Sequence, residues 1–429
     1  MSLDKLKLGK RLHKSMEDLG YLTAKELQVK SISRILGGQD IIAIGPEDSG
    51  KTTTYVLSVL SGLKFNVADA PKVLILAPDQ ERIQNILDQF YLISKNKDLS
   101  IIGLRDGGSM EQEIEKLVAG VEIVVATPNR ARAVYLKLGL NLNLIHTFII
   151  DDAEEIIKNG MITPVKELAQ SCKKCQHLIF STVEHEKLHQ MIDDFMVLPA
   201  LIEVEELAQE QLEVHDLFLY QVPNFTTKIT LLNSLMLDNE TFDKVIIFVN
   251  SKLTAQKLGK SLHRKYNDEI LILNPLFIED RAIEDIDLFK QQDTHRILIV
   301  ANEGADEIDL SGIPYIFHFE IPENNDMLIQ RILKSGSEEQ LAFTFATDLE
   351  LPEVRKIEQI IGRKMEVLDL PERMSIYSAK KGNKDAGSAE DESNETRGGA
   401  FHQKKESNTK TYNYGAGKKA RMTMKNKKG

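Results

Sequence analysis

The chain has 429 residues and a net charge of −11, with 42% hydrophobic and 28% charged residues, a composition that supports large packed cores and excludes a wholly disordered polypeptide. No apolar run approaches the roughly 20 residues a helical membrane span needs, and no signal peptide is expected. Only two cysteines occur, Cys172 and Cys175, so disulfides do not organise the fold and a reducing, cytoplasmic compartment is expected.

Along the chain, short apolar runs alternate with longer amphipathic segments. In the first half the runs are IIAI (41–44), VLILA (73–77), EIVVA (122–126), FIID (148–151) and LIFS (178–181). In the second they are VIIFV (245–249), EILIL (269–273), RILIV (296–300), YIFHF (315–319) and LAFTF (341–345). Nearly continuous apolar strands separated by helices indicate parallel sheets covered on both faces. The expectation is an α/β protein with two tandem parallel-sheet domains of five strands each, residues 1–206 and 207–372, joined near the polar stretch EELAQEQLEV (205–214).

Residues 373–429 read differently. From Lys380 to the end there are 13 Lys/Arg against 6 Asp/Glu, which leaves the rest of the chain near −18. Low hydrophobicity with Gly, Ser, Asn and Lys predicts a disordered basic C-terminal tail. Lys418, Lys419 and Arg421, with Tyr412 and Tyr414 nearby, fit single-stranded nucleic acid; a merely solubilising tail is the alternative.

The first apolar run leads into GPEDSGKT, in which Gly45, Ser49, Gly50, Lys51 and Thr52 have P-loop spacing. Glycine lets backbone N–H groups wrap phosphate oxygens, Lys51 reaches the terminal phosphates, and the Thr52 hydroxyl can ligate Mg²⁺. An ordinary strand–turn–helix connection would be the plain alternative. Asp151-Asp152, at the end of another apolar strand, suit a carboxylate pair that holds Mg²⁺ and orients water; helix capping is the alternative there. The second half has no P-loop, so a nucleotide closed between two α/β domains could move a second ligand. Cys172-x-x-Cys175 with His177 lacks a second ligand pair for zinc and precedes a strand, which favours ordinary reduced thiols.

Across residues 1–372 the order of motifs resembles the DEAD-box RNA helicases. LGYLTAKELQ matches that family's glutamine motif and places Gln28 at the adenine edge; LAPDQER, Gly107-Gly108 and Thr127-Pro128-Asn129-Arg130 match its RNA-contacting motifs. IIDDAEEIIKNGM, HLIFSTV, KVIIFVNSK, EDRAIEDIDLFK, RILIVANEGADEIDL and LIQRILKSG follow in family order. The resemblance implies two RecA-like domains, ATP with Mg²⁺ as cofactors, and RNA as partner, either single-stranded or structured. It assigns the nucleotide to Gln28, Gly45, Ser49, Gly50, Lys51, Thr52 and Asp309, the metal to Thr52 and Asp151, water orientation to Asp152, and RNA contact to Gly107, Gly108, Thr127 and Arg130.

Departures from the family pattern set the expected activity. D-E-A-D reads Asp151-Asp152-Ala153-Glu154, and S-A-T reads Ser181-Thr182-Val183. The stacking aromatic aligns with Leu3 and the strand-end arginine with Gln80. A-R-G-x-D reads Ala305-Asp306-Glu307-Ile308-Asp309. In place of H-R-x-G-R-x-x-R the chain has QRILKSGS; Arg331 survives, while the γ-phosphate arginines align with Lys334 and Ser337. Lysine keeps the charge without the planar fork and serine keeps neither. The expectation is an ATP-dependent RNA helicase, with Lys51, Asp152, Arg331 and Lys334 in catalytic roles, that clamps or remodels RNA with weak hydrolysis. A monomer with ribosomal or RNP protein partners is expected. A non-enzymatic nucleotide-gated RNA-binding scaffold, or a P-loop protein acting on something other than RNA, are the alternatives.

Overall fold

The computed structural model describes residues 3–371, apart from 64–69, 96–98, 173, 206, 209–210, 267–268, 278–280, 293, 305–307 and 335–338. Two parallel sheets in tandem build this part of the chain. The first contains β1 (Ile41–Ile44), β2 (Val73–Leu76), β3 (Ile101–Leu104), β4 (Ile123–Ala126), β5 (Thr147–Ile150), β6 (Gln176–Ser181) and β7 (Ala200–Glu203), in the order β3-β4-β2-β5-β6-β1-β7. The second contains β8 (Asp216–Gln221), β9 (Val245–Val249), β10 (Ile270–Leu273), β11 (Ala282–Ile283), β12 (Ile297–Ala301), β13 (Tyr315–His318), β14 (Leu341–Ala346) and β15 (Glu366–Leu368), in the order β11-β10-β12-β9-β13-β14-β8-β15.

Each strand's apolar run is continuous because both faces of each sheet are buried. In β1, Ile41 and Ala43 enter one core with Tyr55, Phe90 and Phe180, while Ile42 and Ile44 enter the opposite core with Phe148 and Leu168. In β9, Ile246 and Phe248 face one core, and Val245, Ile247 and Val249 face the other with Phe317 and Phe345. Alternation of side chains along a strand thus feeds two cores per sheet, the mark of a doubly covered α/β layer.

All ten sequence-predicted strands are present, but the sheets have seven and eight strands rather than five each. The added strands are less buried or shorter than the ten, although β3 (IIGL) and β8 (LFLY within DLFLYQ) do carry apolar residues. β3 is only half-buried, β7 alternates exposed and buried residues, and β8 is exposed at both its ends. β11 spans two residues, and β15 is largely exposed at the sheet edge.

Candidate functional site

Four adjacent strands, β2-β5-β6-β1, deliver their C-terminal ends to one place, where open parallel sheets bind ligands. β1 runs into the P-loop, which turns into the helix Lys51–Gly62 through Gly50 in the left-handed region (φ 89°). A Cβ on Gly50 would lie 3.0 Å from the Gln28 amide nitrogen, and one on Gly45 would lie 2.7 Å from Ser49 Oγ. Both glycines therefore keep the loop narrow enough for backbone N–H groups to approach an anion. Ser49 Oγ is buried with no hydrogen-bond partner. Lys51, only 6% exposed, donates from Nζ to the carbonyls of Gly45 (2.7 Å) and Pro46 (2.9 Å). The loop is an anion cradle closed on its own lysine, and the residues present fit a nucleotide's phosphates.

Above the loop lies a cavity of about 860 Å³, to which Tyr21, Gln28, Lys51, Thr52, Arg82 and Asp152 contribute. Gln28 is buried; its Oε1 accepts from the Lys25 backbone N–H (2.9 Å) and so fixes the first turn of the helix Glu26–Leu36. Leu3, aligned with the stacking aromatic, is instead buried in the core, and Tyr21 stands at the cavity wall. Its position directly after Gly20 in LGYLTAKELQ was the available signal.

Asp151, at the end of β5, is fully buried. Its Oδ2 accepts from Tyr55 Oη (3.1 Å) and from Arg82 Nε (2.7 Å), while Oδ1 has no partner. Arg82 Nε also lies 2.9 Å from Asp152 Oδ2, and its terminal nitrogen donates to Thr52 Oγ1 at 2.9 Å. Burial works against the charge on Arg82, but Asp151 and Asp152 more than offset it and raise its pKa. Burial, and then the neighbouring Asp151, push Asp152 up to about 8 against the pull of Arg82. Asp152 occupies the left-handed region (φ 48°) ahead of the helix Ala153–Lys158, a conformation that aspartate tolerates better than most residues.

The groups expected to ligate a metal, Thr52 and Asp151, are therefore joined to each other by a guanidinium. Mg²⁺ demands oxygen ligands at about 2.0–2.1 Å in near-octahedral geometry. With Arg82 on Thr52 Oγ1 and Asp151 Oδ2, only Asp151 Oδ1 is left free of these groups, and the arrangement does not fit the ion.

Glu154 ties β5 to β6 with both carboxylate oxygens. Oε2 accepts from Ser181 Oγ (2.7 Å), and Oε1 accepts from the Thr182 hydroxyl (2.7 Å) and backbone N–H (3.2 Å). The longer glutamate and the shifted hydroxyl of Ser181-Thr182-Val183 thus meet.

The other half of the first sheet, β3-β4-β2, brings a second cluster together. Arg130 donates to the Gly108 carbonyl (2.7 Å) and to Glu113 (3.1 Å), and Thr127 Oγ1 donates to Asp106 (3.1 Å), which also accepts from Gln80 (3.3 Å). Gly107 takes φ 81°. Gly107, Gly108 and Arg130 lie together, with Arg130 largely engaged in holding the glycine loop, while Thr127 is buried behind them.

In the second sheet's domain, Arg331 is 9% exposed, donates to Asn302 Oδ1 (2.7 Å), and stacks 3.7 Å from the centre of the Phe248 ring. Burial lowers its pKa to about 10. Asp309 is bonded to Lys290 (2.7 Å) and Ser311 (2.7 Å), and the Lys290 and Ser311 hydrogen bonds hold its carboxyl well below the usual range. Neither Arg331, Asp309 nor Lys334 lines the cavity; Lys356 does, paired with Glu47 at 3.0 Å. Ser337, Ala305-Asp306-Glu307, Lys418, Lys419 and Arg421 lie outside the described residues.

The two cysteines are unbridged and lie just before β6. Cys175 Sγ donates to the Cys172 carbonyl (3.2 Å) and lies 3.3 Å from His177 Nε2; the His177 ring faces Asp40 at 3.7 Å. A side-chain hydrogen bond from the Cys172 thiol, helped by His177, draws Cys175 down to about 6 despite burial. Because the thiolate persists above that value, iodoacetamide at pH 7 should modify Cys175 well ahead of Cys172, with the rate falling only below about pH 6. Peptide mass spectrometry checks this; equal labelling of both thiols would remove the reading of Cys175 as the more acidic thiol.

Comparison with known proteins settles the family. A DEAD/DEAH box helicase profile matches residues 25–191, and a helicase conserved C-terminal domain profile matches residues 227–337, in tandem. The chain belongs to the DEAD-box helicase family. It is 24% identical over 378 residues to the DEAD-box ATP-dependent RNA helicase RhpA of Helicobacter pylori, covering 86% of this chain and 74% of that protein. Among solved structures, a DEAD box protein from the hyperthermophile Methanococcus jannaschii shares 23% identity with a TM-score of 0.49, over 86% of this chain and 99% of that one. S. cerevisiae Dbp5 bound to RNA and ADP BeF3 shares 19% identity with a TM-score of 0.44, over 89% and 99%. The two parallel-sheet domains are the family's RecA-like pair. Among the described residues no helix is long and apolar enough to cross a membrane.

Proposed function

We propose that this DEAD-box helicase binds ATP over the Gly45–Thr52 loop and uses it to clamp or remodel RNA, with weak hydrolysis. Lys51 and the loop N–H groups hold the phosphates, while Tyr21 and Gln28 meet the base. RNA lies across Gly107, Gly108, Thr127 and Arg130, and the basic residues Lys418, Lys419 and Arg421 add charge-driven affinity. The protein acts as a cytoplasmic monomer on ribosomal or other RNP assemblies.

One observation carries this reading: the phosphate-holding groups converge on a single cavity, whereas Arg331 is spent on Asn302 and Phe248. An arginine finger contributes about 10³–10⁵ in rate, so a cavity that Arg331 does not line, in a chain with Lys334 and Ser337 in place of the γ-phosphate arginines, binds far better than it hydrolyses. Fluorescence anisotropy of a labelled single-stranded RNA tests the gating. A non-hydrolysable ATP analogue should tighten RNA binding by wild type and leave Lys51→Ala unaffected. RNA affinity indifferent to nucleotide in both proteins would defeat the clamp.

A further inference from the structure

Arg82 belongs to none of the roles set out above, yet its guanidinium bridges three side chains at the site. It sits in the first turn of the helix Gln80–Ile93, where Asp79 caps its backbone N–H at 2.8 Å. A cation in a helix's first turn opposes the dipole, so this arginine is held there against its local preference. Asp151, Asp152 and Thr52 hold it, through three contacts of 2.7–2.9 Å. Asp151 is itself fixed by Tyr55 in the core. This is a built site: a charged side chain joined to a fully buried carboxylate, at the mouth of the nucleotide cavity.

We propose that Arg82 is a tethered cation that takes the place of the divalent ion between Thr52 and the Asp151-Asp152 pair, making nucleotide binding independent of Mg²⁺. The proposal rests on the reading of the Gly45–Thr52 loop as a phosphate site. Guanidinium and Mg²⁺ compete for the same oxygens, and like charges this close repel each other. The guanidinium is covalently attached and already ordered, so no free ion need be captured. It offers planar hydrogen-bond donors where the ion offers octahedral coordination, so it neutralises ground-state charge without supplying the ion's geometry. Arg82 is therefore a specificity-determining residue that lets the site accept nucleotide with or without the metal.

Equilibrium titration of a fluorescent ATP analogue, in buffer containing Mg²⁺ and in buffer containing EDTA, tests this. Wild-type Kd should change by less than about fivefold on chelation, while Arg82→Met, which keeps the apolar stem and loses the charge, should lose more than about fivefold. Wild-type dependence on Mg²⁺ beyond that threshold overturns the proposal without reference to any variant. An Arg82→Met that folds and stays indifferent to EDTA overturns the assignment to Arg82. Failure of wild type to bind nucleotide in either buffer would instead defeat the phosphate-site reading, which keeps the two failures distinct.

Discussion

Lys51→Ala should weaken ATP binding by at least about tenfold, and by more than Gln28→Ala does, in a fluorescent-nucleotide titration. Charge-assisted hydrogen bonds contribute about 1.5–3 kcal/mol each, against about 0.5–1.5 kcal/mol for neutral ones. Lys51 meets the concentrated charge of the phosphates, whereas Gln28 faces a neutral base. The gain from Lys51 is net of a loss, because its Nζ must leave the Gly45 and Pro46 carbonyls that it now satisfies at 2.7 and 2.9 Å. That exchange is why the expected loss is set at the lower end of the range. Gln28→Ala has a second effect that Lys51→Ala lacks. Its Oε1 caps the Lys25 N–H, so removing it should lower thermal stability by about 1 kcal/mol while moving affinity less. Equal affinities for wild type and Lys51→Ala would remove the phosphate-binding reading of the loop.

How much of this was legible in the sequence depends on whether the signal was local. The P-loop was legible because its geometry is set by glycine and its immediate neighbours: Gly50 takes φ 89° and Lys51 opens the helix. Strands buried on both faces announce themselves as apolar runs, so β1, β2, β5 and β9 could be read directly. β7, with its alternating burial, and the three-residue β15 could not, because their pairing is decided by the neighbouring strand rather than by their own residues.

The site was less legible where it depends on contacts between distant segments. Asp151 and Arg82 are 69 residues apart, and nothing in either segment predicts their 2.7 Å contact. The one available cue was negative: an arginine in the first turn of a helix, where the dipole disfavours it, breaks a local rule and so implies an anionic partner from elsewhere. Arg331 shows the converse. Its place in QRILKSGS matches the family, yet Phe248 and Asn302 claim its guanidinium, and burial of that kind is decided by the tertiary packing around β9 and β12.

The largest gain in turnover should come from Lys334→Arg combined with Ser337→Arg, which should raise RNA-stimulated kcat by about tenfold or more. The motivation is that the ground-state half of the site is assembled, with Lys51 in its loop and Gln28 and Tyr21 at the cavity wall, while Arg331 is held away from it. Two guanidiniums restored at the positions aligned with the γ-phosphate arginines would supply planar, bidentate donors to charge that develops only in the transition state. Such a change should raise kcat with little change in KM, since it adds nothing in the ground state. The gain should fall short of the roughly 10³–10⁵ that an arginine finger contributes, because acidic Asp306 and Glu307 stand in sequence where the family's RNA-contacting motif has arginine and glycine, and acid repels phosphate. Adding Asp152→Glu should contribute less. The backbone at 152 lies at φ 48°, which glutamate tolerates worse than aspartate, and the carboxylate there is engaged by Arg82 at 2.9 Å. Phosphate-release assays at saturating RNA decide the matter. A wild type already turning over at about 1 s⁻¹ or faster would mean that another group does the arginines' work. A doubly substituted protein no faster than its parent would mean that the second domain does not bring this segment to the γ-phosphate at all.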